Sequence, residues 1–130
     1  LKGIPRGKVK QLRVYTYHFA YQGMGGLLGV LGMDGPWDVR RVLGTVPVER
    51  DGSAFFRIPS GVPVFFQALD DKGLALQTMR SLTYVLPGQT LSCIGCHENR
   101  LSSTPNHLKA AISRPPTAHI PGRPRRPRAR

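Results

Sequence analysis

The stretch Val62-Pro63-Val64-Phe65-Phe66-Gln67-Ala68-Leu69-Asp70-Asp71-Lys72-Gly73-Leu74-Ala75-Leu76-Gln77-Thr78-Met79 reads as a hairpin and sets the fold class. Two apolar runs, Val62 to Leu69 and Leu74 to Met79, are separated by Asp70-Asp71-Lys72-Gly73. That separator is a cluster of turn formers ending in the residue most tolerant of positive φ. Runs of about 5 to 8 residues bounded in this way have the length of strands, in which alternate side chains share a face. Val62, Val64, Phe66 and Ala68 form one apolar set of that kind, and a core is its expected place.

The same pattern continues on both sides. Arg41 to Val48, Ala54 to Ile58 and Leu82 to Leu86 are further short apolar runs, separated by Glu49-Arg50-Asp51-Gly52, Pro59-Ser60-Gly61 and Pro87-Gly88. Positions 54, 56 and 58 give a second one-sided set for the core. Val9 to Phe19 is rich in β-branched and aromatic residues, with Leu12, Val14 and Thr16 alternating against Arg13, Tyr15 and Tyr17. Successive short strands joined by such turns predict a mainly β fold, an antiparallel β-sandwich-like domain or small barrel. Between the first two runs, Gln22 to Gly35 carries six glycines, too permissive for a stable helix and suited to a loop passing close to another group.

Downstream, Thr104 is a good N-cap and Pro105 a good first helical residue. Leu108, Ala111 and Ile112 would then share one face of a short helix ending near Ser113, before Pro115-Pro116. Beyond it, proline and arginine dominate, a composition that buries too little surface to offset its ordering entropy. The expected division is a domain over residues 1–113 and a disordered C-terminal tail over 114–130.

A chain of 130 residues with 40% apolar content supports one domain with a modest core. Of the net charge of +12, +8 lies between Asn99 and Arg130, where no acid occurs. The basic character therefore belongs to the tail and not to the chemistry of the folded part. No aromatic residue interleaves the tail arginines, so no nucleic-acid partner is expected. No apolar run approaches the roughly 20 residues that span a bilayer. The chain opens on Leu1 with no signal-peptide pattern, and the expectation is a fragment of a longer exported protein.

Cys93-Ile94-Gly95-Cys96-His97 is the one strong motif, and it uses both cysteines of the chain. Two thiols separated by two residues reach the vinyl groups on one edge of a porphyrin, and the adjoining imidazole meets the iron. The expected cofactor is therefore one covalent haem c, tethered by Cys93 and Cys96, with His97 as axial ligand of the iron. Such attachment implies the periplasm or an equivalent extracytoplasmic compartment. His107, His18, Met24, Met33 and Met79 are the possible donors on the opposite side, and an open iron position is the alternative. No catalytic residue is assigned. Other uses of the thiols stay open: a thioredoxin-like dithiol, a zinc site drawing on His97, His107 and His119, or a plain disulfide in a non-catalytic β-sandwich interaction domain. Tyr15, Tyr17, His18, Tyr21 and Trp37 read as sheet residues packing on one another before they read as a haem pocket.

The wider pattern resembles a known family. Tyr17-His18-Phe19-Ala20-Tyr21, Gly23-Met24-Gly25-Gly26, Asp34-Gly35-Pro36-Trp37-Asp38, Leu43-Gly44-Thr45-Val46-Pro47-Val48, Asp51-Gly52-Ser53-Ala54, Phe66-Gln67-Ala68-Leu69-Asp70, Met79-Arg80-Ser81 and Ser92-Cys93-Ile94-Gly95-Cys96-His97-Glu98 occur in the order seen in the middle domain of the hydrazine synthase alpha subunit and its relatives in planctomycete-type bacteria. The resemblance runs from about Val9 to Glu98. It implies a β-rich domain bearing a c-type haem, set among neighbouring domains and redox partners of a larger protein that makes hydrazine from nitric oxide and ammonium. One departure is specific. The family's catalytic haem is held by a tyrosine one helical turn beyond the motif histidine; Leu101 stands there in this chain and no tyrosine follows Tyr84. The resemblance therefore implies haem binding, in electron transfer or small-nitrogen redox chemistry, and does not carry the hydrazine-forming activity with it.

Overall fold

The computed structural model describes residues 3–18, 39–93 and 109–117. These form four strands, β1 (Gln11–His18), β2 (Val39–Pro47), β3 (Val64–Leu69) and β4 (Ala75–Thr78), followed by a 3-10 turn at Ala110–Ser113. All pairings are antiparallel, in one sheet of order β2-β1-β3-β4. The mainly β, antiparallel expectation holds, and each strand lies within two residues of its expected run. The glycine-rich segment 22–35, the expected helix start at Thr104 and Pro105, and residues 118–130 of the tail lie outside the described residues.

Alternation along β1 decides what the sheet buries. Val14 and Thr16 turn to the core face, where Val14 is fully buried. The Thr16 hydroxyl is buried too and donates to the Pro63 carbonyl at 2.7 Å, so its polar atom is satisfied. On β3, Val64 and Ala68 face the same way, as expected. On β2, Leu43 and Val46 are three positions apart and would fall on opposite faces of a regular strand. A bulge resolves this: Val14 pairs Gly44 while Tyr15 pairs Val42, which leaves Leu43 as the extra residue. Val14, Leu43, Val46 and Val64 then make one cluster, with Leu12, Phe56, Ile58, Val62 and Phe66 packed against it. Full burial of each of the larger side chains stabilises the fold by about 1.5–3 kcal/mol before chain entropy is subtracted.

Two runs expected as strands are not members of the sheet. Ala54 to Ile58 is irregular, with Phe56 bridging in parallel to Thr117. Pro59, which lacks a backbone donor, directly follows the stretch that would have to pair. It still supplies the second layer, because Phe56 and Ile58 lie over the core cluster, with Phe56 edge-on to Phe66 at 5.7 Å. Leu82 to Leu86 touches the sheet only at Thr83, which exchanges both backbone hydrogen bonds with Val64.

The opposite face is also covered in part. Phe65 is 1% exposed, stacked on Tyr15 at 5.0 Å and tilted against Tyr17 at 4.7 Å, with the Arg40 guanidinium 5.4 Å above its ring. Tyr15 and Tyr17 are sheet residues as expected, and the ring each packs on is Phe65. Beside this stack, the Gln67 amide oxygen accepts from Tyr15 and Arg13, and its nitrogen donates to Thr78 at 2.9 Å, tying β1, β3 and β4.

The described part of the expected helix is the 3-10 turn, closed by Ile112 N–H to the Lys109 carbonyl at 3.1 Å. Ala111 is buried as expected, but Ile112 is 61% exposed, because three residues per turn carry it off the face that Ala111 occupies. Arg114 to Thr117, assigned by composition to the tail, is joined to the fold. Arg114 pairs with Glu49 at 3.2 Å and the Thr117 N–H donates to the Phe55 carbonyl at 2.9 Å. Among the described residues no helix is long and apolar enough to cross a membrane.

Candidate functional site

The route from the sheet to Cys93 is held by backbone hydrogen bonds. After β4, Met79 N–H donates to the Phe66 carbonyl and Thr83 pairs with Val64, so this edge of the sheet continues past a break. The Gly61 N–H then donates to the Val85 carbonyl at 2.8 Å. Pro87-Gly88 turns the chain: Gln89 N–H returns to the Leu86 carbonyl at 3.0 Å, and Gly88 has φ +74°. Proline at the second position of this turn and a positive φ at the third are the signature of a type II turn. The Gln89 side chain closes it from the other side, its Oε1 accepting from Leu86 N–H at 2.9 Å. Cys93 follows, exposed and with a free thiol.

The chain re-enters the described fold at Lys109, where the turn before Ala54 grips it. Asp51 Oδ2 accepts from Ala110 N–H at 2.8 Å, and Ser53 Oγ accepts from Ala111 N–H at 3.0 Å. The other carboxylate oxygen of Asp51 accepts from both the Ser53 hydroxyl, at 2.6 Å, and the Ser53 N–H. These bonds, the Ser53 hydroxyl foremost, then the Ala110 N–H, pull the Asp51 carboxyl from 3.8 down to about 2. The described chain before residue 94 is thus held by the Pro87-Gly88 turn, and that after residue 108 by this clasp.

Cys96 and His97 lie in that interval, outside the described residues, as do His107, Met24, Met33, Tyr21, Trp37 and Leu101. Among the proposed second axial donors, Met79 alone has a described side chain, half-buried where β4 ends. No cluster of three or more His, Cys, Asp or Glu side chains able to hold a metal occurs among the described residues. Two positions before Cys93 the chain contributes Leu91 to a groove. Leu82, Thr83, Tyr84, Leu86, Gln89 and Leu91 line a shallow open groove, and a second concavity between Ile58–Val62 and Val85–Gln89 shares Leu86 and Gln89 with it. Reading the sequence as strands and turns missed both the groove and the clasp. Asp51-Gly52-Ser53 signalled a turn, while its grip on Ala110 depends on a contact far along the chain.

Comparison with known proteins now decides the family, because residues 7–98 match the hydrazine synthase alpha subunit middle domain. The chain belongs to that family. A stretch of 58 residues is 41% identical to the hydrazine synthase subunit alpha of Kuenenia stuttgartiensis, covering 45% of this chain and 7% of that protein. A solved Kuenenia stuttgartiensis hydrazine synthase chain is similar with a TM-score of 0.48 at 23% identity, over 65% of this chain and 13% of that one. This chain thus spans a small fraction of the length of these relatives. The family match ends at Glu98, directly after His97, so the whole motif lies inside the hydrazine synthase alpha middle domain while the 3-10 turn lies beyond it.

The donor chemistry of the described part fits a covalent haem. Attachment needs an accessible thiol that is not already bonded, and Cys93 is exposed and free.

Proposed function

We propose that this chain is a c-type haem module of a larger exported protein, serving electron transfer or the redox chemistry of small nitrogen compounds. Family membership supports the reading, and one observation carries it: the Cys93-Ile94-Gly95-Cys96-His97 motif lies within the matched range, and its described thiol is free and exposed. Cys93 and Cys96 form the two thioether tethers, and the His97 imidazole ligates the iron. When bound, haem c supplies a one-electron couple. Cys93, Cys96 and His97 would hold that group through their sulfurs and imidazole. Leu101 cannot ligate iron, so the site differs from a tyrosine-ligated catalytic haem, and electron exchange is the role assigned. Attachment by a cytochrome maturation system places the protein in the periplasm, where neighbouring domains or a redox protein are its partners.

The test is expression with an export signal and the maturation machinery, followed by a pyridine haemochrome spectrum and intact mass. The expected result is one haem per chain with the α-band of a c-type attachment. Protein of unmodified mass that binds zinc, or that carries a Cys93–Cys96 disulfide, would leave a β interaction domain in place of the redox module.

A further inference from the structure

Of the six large apolar side chains that stand exposed among the described residues, Val42, Leu74 and Ile112 sit apart, on an edge strand, a hairpin turn and the 3-10 turn. The other three are Tyr84 at 57%, Leu86 at 57% and Leu91 at 46% exposure, and all three line one groove, to which the chain contributes Leu91 two positions before Cys93. Single exposed apolar residues are ordinary, whereas a contiguous set in a concavity marks a surface that something covers. Backbone geometry limits what reaches it. Leu91 precedes Cys93 by two positions, about 7 Å of extended chain, so a group bonded to the Cys93 sulfur is confined to this neighbourhood. The groove is open and shallow, the Gln89 amide oxygen in it is occupied with the Leu86 N–H, and its wall is fixed by the backbone hydrogen bonds of Thr83 and Gln89. A flat apolar macrocycle fits such a surface.

We infer that the groove formed by Tyr84, Leu86 and Leu91 is the packing surface for the porphyrin tethered at Cys93. This rests on the haem reading above and assigns to it residues outside the attachment motif. The groove shields one edge of the porphyrin from water. Apolar cover disfavours the more charged oxidised iron, so these side chains raise the reduction potential relative to an exposed haem.

The experiment uses the exported, haem-loaded chain with Tyr84→Ser and Leu91→Ser, singly and together, and Leu74→Ser as the control exposed apolar residue. Mass and haemochrome spectra first establish that each protein carries its haem; wild-type protein without haem would overturn the parent reading and this one with it. In loaded protein, the groove variants are expected to lose Soret circular dichroism and to titrate at a more negative potential, with the double variant shifted furthest and Leu74→Ser unchanged. Fully loaded groove variants with wild-type dichroism and potential overturn the inference. So does a change from dimer to monomer in those variants with the haem signals unmoved, which would give the groove to a second copy of the chain. All three positions are exposed, and far-ultraviolet dichroism confirms that the sheet persists.

Discussion

The Asp51 carboxylate accepts the Ala110 backbone N–H at 2.8 Å across 59 positions of sequence, and between these two residues in the chain lies the whole of the Cys93-Ile94-Gly95-Cys96-His97 motif. A short turn on one side of the sheet thereby fixes where the chain returns after Cys93, Cys96 and His97. Ser53 and Glu49 act from the same turn, on Ala111 and Arg114. Because the contacts are exposed, they direct the chain more than they stabilise the domain.

Asp51→Ala removes two acceptors at once, leaving Ala110 N–H and the Ser53 hydroxyl without their partner. The expected outcome is local: faster tryptic cleavage after Lys109, with the midpoint of global unfolding little changed. Cleavage at the wild-type rate would show that the clasp does not hold this segment.

The same carboxylate gives the clasp a pH dependence of definite sign. Its folded pKa, about 2, lies below the ordinary 3.8, so its contribution is fully present above 3.8 and is lost as pH falls through about 2. Followed by NMR in acid, the Ala110 amide should titrate with a midpoint near that lower value. A midpoint at the ordinary carboxylate value would mean that the hydrogen bonds to Asp51 do not persist in solution.

Phe65→Ala is the substitution expected to damage the sheet most. The ring lies between Tyr15 and Tyr17 under Arg40, so truncation leaves a cavity bordered by aromatic faces. The expected loss is about 3–5 kcal/mol, read as a lower urea midpoint at unchanged slope, and Phe65→Leu should cost less. An effect below about 1 kcal/mol would mean that the stack collapses around the gap.

Phe65 also shows where the sequence was legible and where it was not. Alternation found the core face through Val64 and Ala68, because a single buried face imposes period two. The same alternation assigned Phe65 to the outer side and so missed its burial, although Val64-Phe65-Phe66 is apolar on both faces, as suits an inner strand covered twice. Leu43 was readable as strand but not as core, since its inward turn comes from the β1–β2 bulge, and a bulge is a property of the pair. Ala54 to Ile58 supplied its apolar residues to the core as expected while declining to pair, because packing needs only side chains and a strand needs backbone donors at the right edge. The Cys93-Ile94-Gly95-Cys96-His97 pattern was visible from its spacing, whereas the groove appeared only once the turn had brought Leu86 and Leu91 together.

Gly88→Ala probes that turn. At φ +74° the residue lies in the left-handed region, and an added Cβ would meet nothing within 4 Å, so the penalty is one of backbone conformation alone. A cost of about 1–2 kcal/mol corresponds to roughly tenfold faster hydrogen exchange at the Gln89 amide, which closes the turn onto Leu86. Unchanged exchange at Gln89 would place the restraint elsewhere, in the Gly61 to Val85 hydrogen bond.

Cys93→Ala separates the tether from the fold. The thiol is exposed and free, on a segment that has already left the sheet, so its removal should leave the far-ultraviolet spectrum and the urea midpoint as in the wild type. The haem should then be held by Cys96 alone, with one vinyl group unreacted and the α-band of the pyridine haemochrome displaced to longer wavelength, or be lost during maturation. If the variant instead carried haem with the wild-type spectrum, Cys93 would not be a thioether ligand and the motif would have to be read as something other than a haem attachment.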